Sequence, residues 1–582
     1  MVWSDATLAS VRRARPRGPV VSIGWREYLG DEADVALGEE GIDYAITYES
    51  HRVASDIVQN WFISNEKVFL QWEGVGVGAS AQVDIFNFFQ THLRLNFVLD
   101  HVLDNYRPAR VLFADDGSLC ASFLGATLRG RGVPHESLGK ARGVRLARRA
   151  GLAVRRRVWP AMFLAARRQA RRGRGVHRLS RPMTRPGAAV FWGQFGRFEL
   201  DVYEEFCRAY GEEVPYVAAT LAAARDARRA GIVCDALVDR LPPLALSRRL
   251  LRSLTADYRK LERAGLFERF DLPPGLAAFF RENFPFRPEA YLVTLAMFAA
   301  AVEGFLARWR PSLVVHLSDV HTTGRLVTSF AARRGTPALV IQNHITGGPT
   351  FAYLPLSSTK MAAWGRVSRD WMVAGGAPPE KVAVVGSPYA AVVARRLRST
   401  APARPGARRK LVVATNNYDP DQNRAVALAC AAYARERNFP LVFRPHPSEP
   451  HALYHAVIRR SGLADAAVAA DEPLADVLRE AAAIVTGHSG VGVDAVVGGV
   501  PLVHVNLMRD LPDYIPYVAY GAAVGVRDIA GLAAAIDGVL AAPPGHFDAG
   551  REAFARAYLG LDAGDPFENI AALARELEGS AS

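Results

Sequence analysis

Cysteine is scarce in this chain: four residues in 582, Cys120, Cys207, Cys234 and Cys430, with no CxxC pair among them. That scatter excludes a disulfide framework and a structural zinc site, and it fits a reducing cytoplasm. No apolar run reaches membrane-spanning length. The longest, Ala290 to Val302, holds thirteen residues between Glu289 and Glu303, against the ~20 that a bilayer demands, and it reads as a buried helix. Met1 to Pro19 has no apolar core before its basic residues, so no signal peptide is expected. Negative charge is missing in one place. From Lys140 to Arg185 there are sixteen Lys or Arg and no Asp or Glu, so the net +13 is local and the remainder sums to about −3.

What is present is ordinary for a globular protein, with half the residues apolar and 22% charged. A chain of 582 residues exceeds what one core supports, so two or three domains are expected. Within the basic stretch 140–185, Val144, Ala147, Gly151, Val154, Val158, Met162 and Ala165 recur every three or four residues, and Pro160 splits the helix beside Trp159 and Phe163. A basic amphipathic helix with aromatics is the pattern of a peptide lying on an anionic membrane face. A solvated arginine-rich helix is the competing reading. Nucleic acid is not expected as a partner, because few aromatics are there to stack bases.

Chemistry concentrates in the carboxyl-terminal half. Ile484 to Asn506 reads as strand, turn, helix, turn, strand, with Thr486-Gly-His-Ser-Gly490 as the first turn and Gly498-Gly499 as the helix stop. Such a turn binds anions, since first-turn N–H groups lack intrahelical partners, the helix dipole is positive there, and glycines admit a phosphate close to the backbone. Ser489 either caps the helix or donates to a ligand oxygen. A second junction, Leu441-Val-Phe-Arg-Pro-His-Pro-Ser-Glu449, holds His446 stiffly between two prolines at the carboxyl end of a strand, where open α/β sheets bind ligands. Together the two junctions point to a nucleotide phosphate pocket.

The Arg444-Pro-His-Pro447 element, the Ser489-Gly-x-Gly-x-Asp-Ala495 and Gly499-x-Pro501 elements, and the upstream Gln342-Asn-His344 and Val385-Gly-Ser-Pro388 resemble GT-B-fold transferases of bacterial surface polysaccharide. That superfamily includes capsule glycosyltransferases using CMP-activated sugars, CDP-glycerol glycerophosphotransferases and, more distantly, UDP-N-acetylglucosamine 2-epimerases. The resemblance covers roughly residues 311–575. This chain has Asn343-His344 where many relatives carry His-Gly, and Asp494 where many carry Glu.

Along the amino-terminal half, Pro19 to Gly24 and Asp43 to Tyr48 read as strands, and Ile85 to Tyr106 as a helix with Phe86, Phe89, Leu93, Phe97 and His101 on one stripe. Arg110 to Gly117 is a strand ending in Asp115 and Asp116, candidates for a hydroxyl or metal contact although Asp-Asp-Gly also makes a capped turn. Residues 187–310 read as mostly helical. Strands then resume at Pro311–Asp319, Pro337–Gln342, Lys360–Gly365 and Lys381–Gly386, so that Asp319, His321 and His344 converge on one edge. Ser399 to Arg409 is the clearest linker, and Lys410–Thr415 opens the second α/β domain with Asn416 in its first loop. Asp419-Pro-Asp421 looks like a metal-binding DxD, but the composition of the loop accounts for it and no metal site is expected.

The expected class is therefore α/β and GT-B-like, two Rossmann-like domains facing a cleft. Residues 1–398 form the acceptor side with a helical basic insertion at about 140–310, 399–409 the linker, 410–548 the nucleotide-binding domain, and 549–582 a helical tail that crosses back in the resembling family. The activity implied is transfer of a sugar from a CMP- or UDP-type donor to a lipid-linked or glycan acceptor, without a cofactor, by a cytoplasmic protein that the basic stretch would hold on the inner face of the plasma membrane. The donor phosphate would sit on the amides around Ser489, Gly490 and Gly492, with Arg444 and His446 neutralising its charge, Asn416 beside it, and Asp494 holding the ribose or fixing the helix. The acceptor hydroxyl would lose its proton to His344, or else to Asp319 or Asp116. A CDP-glycerol-type glycerophosphotransferase, a nucleotide-sugar 2-epimerase and a non-catalytic membrane-associated assembly protein are the alternatives.

Overall fold

The computed structural model describes residues 23–24, 35–36, 43–64, 67–114, 119–138, 186–194, 196–237, 244–273, 275–288, 291–346, 353–399, 409–416, 420–446, 449, 451–470, 472–507 and 513–581. The basic stretch 140–185, most of the expected linker, and Asp115, Asp116, Asp419 and most of Pro19–Gly24 lie outside these residues.

The first described helix, α1 (Asp43–Asn60), begins where the sequence predicts a strand over Asp43–Tyr48. The reason lies downstream. Ala54, Ile57, Val58 and Trp61 are fully buried at helical spacing, and a six-residue window is too short to show that period. Helix α2 (Gln82–Tyr106) follows as predicted, burying Ile85, Phe86, Phe89 and Leu93. Strand β1 (Val111–Ala114), α3 (Leu119–Gly130) and β2 (His135–Leu138) make a βαβ unit whose two strands pair in parallel as a separate small sheet.

The next stretch, which reads in sequence as mostly helical, also contributes strands to the first sheet. Residues 190–236 supply three strands, β3 (Val190–Gly193), β4 (Tyr216–Ala218) and β5 (Cys234–Ala236), separated by α4 (Arg197–Tyr210) and α5 (Leu221–Arg229). Each strand is three or four residues and buried throughout, so none shows the in-out alternation that marks a strand in sequence. Helices α6 (Leu244–Arg263), α7 (Leu276–Asn283) and α8 (Tyr291–Trp309) come next, then β6 (Val314–His316), α9 (Thr322–Arg333), β7 (Ala338–Ile341), β8 (Lys360–Ala363), α10 (Arg366–Ala374), β9 (Val382–Val384) and α11 (Pro388–Ser399). The seven strands pair in parallel in the order β5-β4-β3-β6-β7-β8-β9. The order reverses between β3 and β6. Neighbouring residues face opposite ways: Trp192 and Val314 pack with α6 and α8, while Phe191 and Val315 pack with α4. Helix α8 is long and apolar enough to cross a membrane by composition, yet 61% of its most apolar window is buried here, so it serves as core.

The second sheet is built from β10 (Lys410–Ala414), α12 (Pro420–Arg437), β11 (Leu441–Arg444), α13 (Ala452–Ser461), β12 (Ala466–Val468), α14 (Leu474–Glu480), β13 (Ala481–Thr486), α15 (Val491–Gly498), β14 (Leu502–Val505), β15 (Val524–Val526) and α16 (Leu532–Ala541). Its six strands are all parallel, in the order β12-β11-β10-β13-β14-β15. That is the doubly wound dinucleotide-fold order, with its switch between β10 and β13. The chain ends with α17 (Asp548–Phe554) and α18 (Pro566–Ala581). Phe567, Ile570, Ala571, Ala574 and Leu577 of α18 join the core on the α4 face of the first sheet, and Asn569 Nδ2 donates to the Val385 carbonyl at 3.0 Å. The tail thus returns to the first domain.

The two carboxyl edges meet. Tyr514, past the end of β14, reaches the Ile345 carbonyl past the end of β7 at 3.5 Å, and Trp364 and Tyr389 of the first domain share a core cluster with Val493, Val496 and Tyr517 of the second. The architecture is the predicted α/β class: two Rossmann-like domains in a GT-B-like arrangement.

Candidate functional site

Register places the sequence motifs on one line. Arg444, Ala414, Thr486 and His504 are successive partners across β11, β10, β13 and β14, so the loops that follow them leave from the same edge. His446 and Ser489 come from strands two apart, about 10 Å at the ~4.8 Å strand spacing, with Thr415 and Asn416 between them. An added Cβ at Gly487 would lie 3.5 Å from Asn416 Nδ2, which puts the Asn416 side chain against the Ser489 turn.

The turn itself is tightly supported. Ser489 N–H donates to the Gly487 carbonyl at 2.9 Å, and Ser489 Oγ accepts from Val491 N–H at 3.4 Å. The hydroxyl therefore caps the helix through its oxygen and keeps its proton for another partner. Gly490 N–H makes no hydrogen bond among the described residues, and a Cβ built there meets nothing within 4 Å. Gly492 is different: Tyr517's ring would lie 2.6 Å from a Cβ at that position, and the Tyr517 hydroxyl donates to the Ser489 carbonyl at 3.3 Å. Gly490 is thus open to a ligand, while Gly492 admits the ring that braces the turn.

His446 is held by a residue that the motif reading passed over. Glu449 Oε2 accepts from His446 N–H at 2.8 Å and from Thr415 Oγ1 at 2.6 Å, and Oε1 accepts from Asn423 Nδ2 and the Tyr454 hydroxyl, each at 2.9 Å. Four donors on one carboxyl pin the Pro-His-Pro loop to the end of β10. Arg444 is turned elsewhere. Its Nη1 donates to the carbonyls of Ala469 and Ala470, the latter at 2.7 Å, on the β12 side and away from Ser489. Its geometry is that of a strand-end brace, because a guanidinium two strands from the switch finds backbone carbonyls before it finds a phosphate.

Asp494 is fully buried and points across to the first domain, where Tyr389 donates its hydroxyl to Oδ2 at 2.7 Å. Burial pushes the carboxyl up to about 7, against the pull of that hydrogen bond. That contact ties helix α15 to the first domain. Tyr389 stacks on Trp364 at 5.9 Å and 12°, so an aromatic pair from one domain clamps helix α15 of the other. Behind the turn, His488 packs edge-on against His504, whose Nε2 lies 3.4 Å from Asp513 Oδ1; that oxygen also accepts from Asn506 Nδ2 at 3.0 Å and Arg527 Nη2 at 2.8 Å. Burial works against the Asp513 charge, but His504, Asn506 and Arg527 outweigh it and hold the carboxyl at about 2.

Facing this edge is the first domain's own. Gln342 organises it, accepting from Trp364 N–H at 2.7 Å and donating to the His344 carbonyl at 2.8 Å and to Ser368 Oγ at 3.0 Å. His344 Nδ1 lies 2.8 Å from Asn343 Oδ1 and 3.1 Å from the Tyr353 hydroxyl, with the Tyr353 ring stacked on the imidazole. A carboxamide oxygen only accepts, so Nδ1 carries the proton and Nε2 keeps its lone pair. Burial, with the nearby His321 adding to it, holds this imidazole down at about 4, which leaves it neutral at pH 7. Asp319 is fully buried, with Oδ2 accepting from Ser357 Oγ at 3.0 Å and forming an ion pair with Arg325 Nη2 at 3.8 Å, while Oδ1 has no hydrogen-bond partner among the described residues. The switch point between β3 and β6 is closed by its own side chains: Gln194 Nε2 donates to the Ser318 carbonyl at 2.8 Å, and Glu199 accepts from Gln194 N–H and the Tyr216 hydroxyl. Asp116 lies outside the described residues.

The structure brings His446, Asn416, Ser489 and Gly490 to one edge and Asp319, His321 and His344 to the facing one; Arg444 ends its strand on the first of these edges but turns its Nη1 toward Ala469 and Ala470. Glu449, Tyr353 and Tyr389 went unread in sequence. Glu449 alone had a signal there, an acid closing the Pro-His-Pro loop.

No protein-family model matches the chain, and no curated protein matches it. Solved structures do. UDP-GlcNAc 2-epimerase from Neisseria meningitidis bound to UDP-GlcNAc is 14% identical at a TM-score of 0.44, covering 67% of this chain and 100% of that one. UDP-N-acetylglucosamine 2-epimerase from Rickettsia bellii is 13% identical at 0.42, over 68% and 96%, and the calicheamicin glycosyltransferase CalG4 is 17% identical at 0.40, over 68% and 98%. Similarity at that level assigns no function.

Proposed function

We propose that this chain is a glycosyltransferase of surface polysaccharide synthesis, moving a sugar from a CMP- or UDP-type donor to a glycan or lipid-linked acceptor. One observation supports this above the others: the switch point of a six-stranded parallel sheet carries an open Ser489-Gly490 turn and Asn416 on one line with a pinned His446, opposite a second edge with hydroxyl-accepting groups. In this reading the free Gly490 N–H, the Ser489 hydroxyl and the positive end of α15 take the donor phosphate, and His446 adds a donor as the leaving group gains charge. Asn416 contacts the nucleotide beside them. Arg444 acts at a distance, by holding the edge of the sheet.

Across the cleft, His344 Nε2 is the first proton acceptor for the acceptor hydroxyl, with Asn343 fixing its tautomer; Asp319, and Asp116 from the β1 loop, are the next candidates. The low basicity of the imidazole keeps it unprotonated and available at neutral pH, at the expense of driving force for proton transfer. An inner-membrane-face location through residues 140–185 would bring a lipid-linked acceptor within reach. Isothermal titration with CMP, CDP and UDP tests the donor half. Ser489→Ala and His446→Ala should each weaken the preferred nucleotide about tenfold, and unchanged affinity in both would sink the assignment. Turnover with release of CMP from a CDP-glycerol donor would shift the reading to glycerophosphotransfer.

A further inference from the structure

We infer that Asp84 and His321 form a binding site for the hydroxyls of a neutral saccharide, placed by a helix that lies outside both sheets. Asp84 opens α2, and Arg325 holds that helix start against the first sheet: its Nε donates to the Asp319 carbonyl at 2.9 Å and its Nη1 to Gln82 Oε1 at 3.1 Å, with both side chains buried. Asp84 Oδ2 then accepts from Thr322 Oγ1 at 2.8 Å and from the Tyr291 hydroxyl at 3.3 Å. Oδ1 makes no hydrogen bond among the described residues, and Asp84 is exposed. The carboxyl is fixed through one oxygen and presents the other.

His321 stands next to it, exposed, at the start of α9. Its chain neighbour Thr322 is the residue that bonds Asp84, and His321 is close enough to His344 to bear on its charge, so Asp84, His321 and His344 lie along one stretch of the edge. They come from three segments of chain. An open carboxyl oxygen and an imidazole suit a polyol, whose hydroxyls both donate and accept. Two carboxyl groups, one of them buried with an unsatisfied oxygen, disfavour an anionic partner, which restricts the ligand to a neutral sugar. The inference rests on reading the facing edges as a donor and acceptor cleft, and it adds which residues receive the acceptor. The bland account of Asp84 is a first-turn acid that complements its own helix dipole, and that account predicts an effect on stability alone.

The test uses the full chain and saturation-transfer NMR with the methyl glycosides of glucose, galactose and N-acetylglucosamine, with and without CMP or UDP. Asp84→Asn keeps the size and the two hydroxyl contacts. It and His321→Gln should each weaken saccharide binding about tenfold, the worth of one charge-assisted hydrogen bond, while nucleotide affinity and melting temperature stay at the wild-type values. Asp84→Asn that binds all three glycosides as the wild type does overturns the site, as does a wild type that binds none of them. If Asp84→Asn fails to fold, His321→Gln decides by the same criterion. Loss of nucleotide binding by the wild type would defeat the transferase reading separately, since the saccharide signals are read without nucleotide as well.

Discussion

The Asp494–Tyr389 contact makes a prediction whose sign changes with the variant. Asp494 has its carboxyl raised from 3.8 to about 7 by burial. Below pH 4 it is protonated in folded and unfolded chains alike and costs nothing through ionisation. Between pH 4 and 7 the folded form binds a proton that the unfolded form has lost, so stability falls by about 1.4 kcal/mol for each pH unit of rise, and above pH 7 the penalty levels at about 4 kcal/mol. Asp494→Asn removes that slope. Relative to the wild type it should gain up to about 4 kcal/mol on going from pH 4 to pH 8. Tyr389→Phe should do the reverse: at pH 8 it strips the ionised carboxyl of its one hydrogen bond, since Oδ1 has none, at a cost of about 1–3 kcal/mol, and at pH 5 it costs less. Urea unfolding followed by tryptophan fluorescence reads both, with Trp364 stacked on Tyr389 as the local reporter. Wild-type and Asp494→Asn stability curves that run parallel from pH 4 to 8 would refute the reasoning.

Other perturbations follow from the same contacts. Glu449→Ala strands four donors at the end of β10 and should cost about 3 kcal/mol or more, seen as a lower melting temperature together with weaker nucleotide binding. Arg444→Ala should lower the melting temperature while leaving nucleotide affinity within about threefold, because its Nη1 is committed to the carbonyls of Ala469 and Ala470; a calorimetric titration separates the two effects.

Much of the second domain was readable because its strands are apolar runs of four to six residues that end on Gly, Pro or polar residues, and because the Arg-Pro-His-Pro and Ser-Gly-x-Gly motifs sit at strand ends, where local pattern and ligand geometry coincide. The first domain was less so. Strands β3, β4 and β5 are buried on both faces and lack alternation, and α1 hides its period behind a β-rich opening, Tyr44-Ala-Ile-Thr-Tyr48. Of the candidate site, the residues proposed to meet a ligand were legible; those that hold them were not. Tyr389 meets Asp494 across 105 positions and Asp84 meets Thr322 across 238, and nothing in a local window encodes such a contact. The direction in which Arg444 turns was hidden for a related reason: its motif says that it ends a strand, and only the neighbouring strand decides where its guanidinium goes.

The buried histidines oppose Asp494 over the same pH range, and their balance decides how the protein meets acid. His316, His344 and His488 are each held at about 4, from 6.5, chiefly by burial. For each, the stabilising contribution is complete above pH 6.5 and is lost as pH falls through 4, because the unfolded chain takes up a proton that the folded one refuses; each loss is about 3 kcal/mol. Asp494 gains about 4 kcal/mol over that descent. Three losses outweigh one gain, so stability should fall steadily from pH 6.5 to pH 4, more steeply in Asp494→Asn than in the wild type. His316 is the clean probe of the three, since it bonds Thr328 Oγ1 at 2.8 Å and the Ser318 carbonyl at 3.0 Å inside the first domain and lies outside both candidate loops. His316→Gln should flatten the acid limb by about half, from a net of two protons to one, while costing some stability at pH 8. An acid limb of unchanged slope would mean that His316 takes up its proton in the folded state, and the picture of a dry first-domain core around β6 would have to be abandoned.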